Sequence, residues 1–248
     1  MQNITRIYAL SKRNVILRYK NSLVGFLWGF FKPMLYLLIF IVVFSRVSNI
    51  DNFVLYATSG LIFWFFFANV TNQSIASIIS SSGIIKSLNI PVAFFPLSEM
   101  ISELFNLSLM LSIFLVAMKW FGIIYGFKLF LLIPAVLLFG LFTLGLTLTL
   151  CALNVFFRDV GIMWTTVQPA LFYLTPIAYP ESLIPANFAF VIGFNPVYYF
   201  IKLARGLIHD VNPPSGDLWL ICTVLAAVSF LSGYFIFNKL KNQFISSI

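Results

Sequence analysis

Residues 128–153 read KLFLLIPAVLLFGLFTLGLTLTLCAL, and beyond Lys128 the run carries no charged side chain to its end. A helix rises about 1.5 Å per residue and the hydrocarbon core of a bilayer is about 30 Å thick, so ~20 such residues cross it. The run therefore predicts a transmembrane helix. Working outward, comparable stretches lie at 33–50, 53–77, 97–118, 160–179 and 217–237. The predicted fold is an all-α integral membrane protein with six transmembrane helices.

The composition agrees. Of the 248 residues, 61% are hydrophobic and 9% charged, and the mean hydropathy is +1.00. A soluble domain is about 45–50% apolar and about 25% charged. The 30 Phe, 10 Tyr and 5 Trp exceed what anchoring at two lipid interfaces requires, so some aromatic surface is expected to face something other than lipid. Cys151 and Cys222 fall inside predicted spans and read as small apolar residues rather than as a disulfide or part of a metal site. A net charge of +8 would point to nucleic acid in a soluble chain, but here the basic residues flank apolar segments and read as orientation signals.

Six spans place both termini on one side. Ten Lys and Arg residues then fall on that side and five on the other, so the positive-inside bias puts both termini in the cytoplasm and the chain in the cell's inner membrane. The first twenty residues lack the apolar core and cleavage site of a signal peptide, and the first span is expected to direct insertion. Instead, Arg6, Arg13 and Lys20 share one helical face while Ile4, Tyr8, Val15 and Tyr19 share another. That pattern suits an amphipathic helix in the headgroup plane, assigned to residues 1–31. Spans one to five occupy 33–179 and span six 217–237. The intervening stretch, 180–215, is apolar enough from Asn187 to Ile208 to tempt a seventh span, but Asn195-Pro196, Lys202 and Arg205 interrupt it. Short interfacial or re-entrant helices on the outer side are expected there, with Pro176, Pro180, Pro185 and Pro196 supplying the breaks. No repeat or linker marks a second domain.

The chemical inventory excludes several function classes. There is no G-x-x-x-x-G-K-[ST], so the chain cannot hold nucleotide phosphates in the P-loop manner. Glu99 and Glu103, at i and i+4, read as helix-start residues favoured by the dipole rather than as an acid–base pair. His209, the single histidine, reads as a solvent-exposed loop residue, and Ser80, Ser81 and Ser82 as caps. Arg158 and Asp159, adjacent in a short turn between spans four and five, are each expected to pair with another segment. The pairs Gly25 with Gly29 and Gly122 with Gly126 fit close helix approach.

Four stretches taken together resemble the membrane subunits of type 2 ABC exporters, in the branch that exports O-antigen, teichoic acid and related polysaccharides. They are Arg18-Tyr-Lys-Asn-Ser-Leu-Val-Gly-Phe-Leu-Trp28 with Lys32-Pro33, Ile84-Ile-Lys-Ser-Leu-Asn-Ile-Pro91, Asn154-Val-Phe-Phe-Arg-Asp-Val160, and Thr175-Pro-Ile-Ala-Tyr-Pro180 through Asn195-Pro196. The resemblance implies a homodimer around a continuous channel, with a separate ATPase subunit supplying the missing P-loop. No cofactor is then expected in this chain, since ATP and magnesium belong to the partner. It also implies that Ile84, Ile85, Lys86, Ser87, Leu88 and Asn89 dock into that ATPase. Arg6, Arg13, Arg18, Tyr19, Lys20, Arg158 and Asp159 would line the same cytoplasmic face, and the 180–210 segment would form gate helices at the outer end.

With a lipid-linked polysaccharide as the implied substrate, the aromatic surplus acquires a use, because sugar rings present C–H faces that slide over aromatic planes. Candidates for that path are Trp28, Phe30, Phe31 and Tyr36 at the first span, Phe63 and Trp64 in the second, and Trp164, Phe172 and Tyr173 in the fifth. Membrane lipid is the remaining expected contact, and no nucleic acid is.

Overall fold

The structure is a computed structural model that describes residues 2–19, 27–44, 52–87, 90–120, 126–185, 187, 189–209 and 213–244. All regular structure among the described residues is helical: α1 Gln2–Tyr19, α2 Leu27–Phe44, α3 Phe53–Ser80, α4 Ser82–Ser87, α5 Phe94–Trp120, α6 Leu132–Phe156, α7 Asp159–Leu174, α8 Ala189–Gly193, α9 Pro196–Ile208 and α10 Gly216–Leu240. A 3₁₀ turn, Phe127–Leu131, runs directly into α6.

Four helical stretches are long and apolar enough to cross a membrane: Phe53–Ser80, Phe94–Trp120, Phe127–Phe156 and Gly216–Gln243. Each overlaps a predicted span. The six-span count rests on the other two, α2 with 18 residues and α7 with 16, which at 1.5 Å per residue reach only about 27 and 24 Å. Their boundaries also differ from the sequence reading. Leu27–Phe31 belongs to α2 and not to the amphipathic helix, with Pro33 inside α2, while α7 stops at Leu174, where Thr175-Pro176 turns the backbone out of the helix.

In lipid, helices gain little by hiding apolar faces, so shape must hold them together. Two features supply it. Between α6 and α10 the backbones touch: a Cβ on Gly233 would run into the Gly145 carbonyl, and one on Gly145 would run into the backbone of Ser229. Cys222, Ala226 and Gly233, all buried, continue this small-residue stripe on α10, and Ser229 Oγ donates to the Phe142 carbonyl at 2.8 Å. The expected glycine pairs do not supply this contact: Gly126 faces open space, and Gly25 and Gly122 lie outside the described residues.

The second feature is a block of rings around α3, the most enclosed helix. Phe139 of α6 packs against Phe63, Phe66 and Phe67 of α3 at centroid distances of 6.2, 5.6 and 6.2 Å, and against Phe200 of α9 at 5.1 Å. Trp164 and Phe172 of α7 meet α3 through Phe67 at 6.1 Å and Trp64 at 5.2 Å. Much of the aromatic surplus therefore faces other aromatic rings of the same chain. A smaller apolar cluster at the far end of α3 gathers Leu10, Ile78, Ile85, Phe95, Leu148, Val155 and Phe237, tying α1, α4, α5 and α10 to α3 and α6.

Replacing Gly233 by Ala forces a methyl into the Gly145 backbone, an overpacking expected to cost about 1–3 kcal/mol. The thermal midpoint of the detergent-solubilised chain should fall clearly for Gly233→Ala and hardly for Leu231→Ala, whose side chain faces outward. Equal midpoints would show that α6 and α10 do not approach this closely.

Candidate functional site

Residues with polar work to do gather at the two ends of α3, a helix of 28 residues and so about 42 Å long. At its C-terminal end the chain reverses. Ser81 caps α3 with its N–H directed to the Ile78 and Ile79 carbonyls, then its own carbonyl receives the Ile84 and Ile85 amides at 3.0 Å. This starts α4, which anchors itself through buried Ile85 in the smaller apolar cluster. Lys86 and Ser87 stay exposed, Ser87 Oγ donating to the Gly83 carbonyl at 2.8 Å. Of the predicted docking stretch, Ile84 to Ser87 thus forms a short helix with one buried foot, and Leu88 and Asn89 lie outside the described residues.

α1 lies against α5 beside this reversal. Ser102 Oγ donates to the Ser11 carbonyl at 3.1 Å, and Asn14 Nδ2 donates to Ser98 Oγ at 3.1 Å. Leu10 is buried toward the protein, while Ile4 and Tyr8 point away from it and Arg6 is exposed. Arg13 reaches its neighbour Asn14 through Nη2 at 3.2 Å. The side chains of Arg18 and Tyr19, and Lys20 altogether, lie outside the described residues.

The turn between α6 and α7 adds Arg158 and Asp159, both exposed, with Asp159 in the first turn of α7. Neither side chain bonds another segment among the described residues, contrary to the expected pairing. The residue that ties this turn down is Asn154. Its Nδ2 donates to the Ile75 carbonyl of α3 at 2.9 Å, and its Oδ1 accepts the Gly161 amide at 3.0 Å.

Glu103 also departs from expectation. It is the tenth residue of α5, beyond the first turn in which a helix dipole acts, and is 2% exposed. Its carboxylate accepts from Gln73 Nε2 at 2.9 Å, Asn106 Nδ2 at 3.3 Å and Asn69 Nδ2 at 3.5 Å. It joins α5 to α3 rather than opening a helix.

The proposed aromatic path divides by burial. Phe63 is 1% exposed and Trp64, Trp164 and Phe172 are also buried in the ring block, so within a single chain these serve packing. Tyr36 is half-buried, edge-on to Phe65 at 5.3 Å and Phe172 at 5.7 Å. Phe31 and Tyr173 are open, Tyr173 at 73%, and the side chains of Trp28 and Phe30 lie outside the described residues. Tyr173 shares an exposed strip of α7 with Thr165, Thr166 and Pro169. Lys32, noted in the sequence only as part of a motif, is exposed and places its ammonium 5.2 Å from the Phe65 ring centroid.

At the N-terminal end of α3 the backbone after Thr175 runs irregularly, and α9 packs over it. α9 has 13 residues, about 20 Å, too short to form a seventh span. Asn195 caps it by accepting the Val197 amide at 3.1 Å and donates to Thr175 Oγ1 at 2.8 Å, which joins the two ends of the fourth motif. Arg205 is buried with no carboxylate partner among the described residues. Its Nη1 donates to the Pro176 carbonyl at 2.6 Å, and its Nη2 to the carbonyls of Ile177 at 2.6 Å and Tyr56 at 3.2 Å. The guanidinium lies 3.7 Å from the Tyr56 ring centroid, and Gly60 leaves the room it needs. His209 is partly buried rather than loop-exposed, its Nε2 standing 3.0 Å from Ser59 Oγ.

The profile of the family described as ABC-2 type transporter matches residues 5–209. An O-antigen export system permease protein of Klebsiella pneumoniae is 28% identical over 243 residues, covering 96% of this chain and 93% of that protein. One from Myxococcus xanthus is 28% identical over 250 residues, covering 98% and 95%. A capsule polysaccharide export inner-membrane protein of Neisseria meningitidis is 24% identical over 243 residues, covering 94% and 91%.

Asn154→Ala removes the bonds to the Ile75 carbonyl of α3 and to the Gly161 amide, which keeps the Arg158 carbonyl at 3.2 Å, at an expected cost of about 0.5–1.5 kcal/mol per bond. Thermal unfolding of the solubilised chain should report it, with Asn154→Asp losing at least as much, because its carboxylate cannot donate to the Ile75 carbonyl and is a buried charge without a partner. A native-like midpoint for Asn154→Ala would remove Asn154 as the tie.

Proposed function

The chain belongs to the ABC-2 type transporter family, and on that footing we propose that it is the membrane-spanning permease subunit of an ATP-driven polysaccharide exporter. Its cargo is a lipid-linked polymer of the O-antigen or teichoic-acid kind, moved across the cytoplasmic membrane. The observation that carries this reading is the likeness over nearly the whole chain to permeases named for O-antigen and capsule polysaccharide export.

The chain has no P-loop, so ATP hydrolysis falls to a separate ATPase subunit, which holds ATP and magnesium. α4 suits docking to it: Ile85 is rooted in the same apolar cluster as α1, α3, α5, α6 and α10, so a push on α4 moves the bundle rather than bending a loose loop. On this reading the α4 end is cytoplasmic, as the positive-inside bias also favours, and the α9 end is outer. Two copies enclose the channel. The open, mixed faces of α2 and α7, carrying Phe31, Lys32, Thr165, Thr166 and Tyr173, are the surfaces available to line it, while Phe63, Trp64, Trp164 and Phe172 support them from behind.

Disrupting the gene should remove the surface polysaccharide seen by gel and leave lipid-linked polymer accumulating inside the cell. Loss in both places would point to biosynthesis, and an unchanged surface to export of a small molecule or lipid. Lys86→Glu should lower surface polymer several-fold and reduce co-purification of the ATPase without lowering the amount of chain in the membrane. Unimpaired co-purification would remove α4 as the docking element.

A further inference from the structure

The irregular backbone after α7 and the side of α9 enclose a cavity of about 170 Å³, walled by Tyr56, Thr175, Glu181, Tyr198, Lys202 and Arg205. At about 170 Å³ it is well below the roughly 300–1,000 Å³ of clefts that enclose a drug-sized ligand, so it admits one small ring with the remainder of a longer molecule outside.

Its chemistry narrows the occupant further. At the mouth Lys202 Nζ lies 3.0 Å from Glu181 Oε2 and 2.7 Å from Tyr198 Oη, and Glu181 and Lys202 are each nearly half exposed. An anion is disfavoured, because the Glu181 carboxylate guards the entrance and already neutralises Lys202. Arg205 at the back keeps its charge, but its Nη1 and Nη2 are turned to three backbone carbonyls, which hold the guanidinium in the wall. A divalent cation would find a single carboxylate with an ammonium beside it. An acyl chain would have to press against the Glu181–Lys202 ion pair. A neutral polyol meets none of these objections: a carboxylate accepts from hydroxyls, an ammonium donates and a phenol does both, while the Tyr198 ring, with Lys202 Nζ 5.1 Å from its centroid, holds these groups in place.

We propose that this cavity is a subsite for one neutral pyranose ring of the exported polymer at the end of the permease opposite α4. The proposal rests on the polysaccharide-export reading and adds to it a named place of contact. An exposed ion pair such as Lys202–Glu181 contributes little to stability, so its removal separates binding from folding.

The test uses the full chain with its ATPase in the exporting cell. A benzophenone amino acid replaces Tyr198, and in a control it replaces outward-facing Leu231, while the polymer is labelled with radioactive sugar. Irradiation during export should attach label at position 198 and not at 231, and Glu181→Gln in the same chain should cut the attachment several-fold at unchanged chain abundance. Glu181→Gln and Lys202→Met alone should lower surface polymer several-fold. If disruption of the gene abolishes surface polymer yet position 198 captures only phospholipid or nothing, the subsite is overturned and export stands. If disruption leaves the surface polymer intact, the subsite and the export reading fall together.

Discussion

Lipid tails are as apolar as the faces of α3 and α6, so pressing those faces together gains little from the solvent, and contact geometry has to hold the bundle. This constraint explains where the residues fall. Gly145 and Gly233 bring two backbones into direct touch, and no side chain larger than hydrogen is compatible with that approach. Phe139 of α6 does the opposite, filling the wider space toward α3 and α9 with a ring that meets five others. Ring pairs in such offset and edge-on arrangements contribute about 0.5–1.5 kcal/mol each beyond burial, so a block of them can replace part of what water would have supplied.

The same solvent leaves every backbone carbonyl outside a helix in need of a donor. After Thr175 the chain abandons the helix, leaving the Pro176 carbonyl with only the Tyr56 hydroxyl at 3.4 Å and the Ile177 carbonyl in need of a donor at the end of the bundle. Arg205 answers both and a third from Tyr56, so the arginine and the broken segment are a single device. A carboxylate partner would have neutralised the charge but left the carbonyls unmet. That is why a cation counted from sequence as an orientation signal and as an interruption of an apolar stretch is buried here without an acid, and why the end of the permease that carries the irregular backbone can still be well packed.

The long helices were legible in the sequence, because an uncharged run such as 129–153 has one physical reading whatever surrounds it. The break at Asn195-Pro196 was legible for the same reason, since proline acts locally, although span five was drawn past Pro176 to residue 179 and α7 stops at Leu174. Contacts between distant segments were not. Gly145 and Gly233 form no motif with each other, whereas the local pair Gly122 and Gly126 looked like one, and its described member, Gly126, faces open space. Glu103 looked like a helix-start residue because its partners Asn69 and Gln73 belong to another helix. Phe63 and Trp64 looked like lining because hydropathy records that a residue is apolar and not which neighbour it faces. Phe31, Tyr36 and Tyr173 keep open or half-open surface.

The two ends of the molecule share one rigid part. α3 carries Ile78 in the apolar cluster beneath α4 and, about 30 Å away along its axis, Tyr56, Ser59 and Gly60 against Arg205 and His209. Between them lie its contacts with the ring block and the Glu103 and Asn154 ties, which are short and mutually fixed. A force on α4 therefore cannot be absorbed by bending within α3 without breaking those ties; it must tilt or shift the helix against its neighbours. Any such movement changes the distance between Tyr56 and the carbonyls of residues 176 and 177, which Arg205 holds together. For a protein whose energy source and outlet would lie on opposite faces of a bilayer, an unbroken helix fastened at both ends is the simplest mechanical link the chain contains.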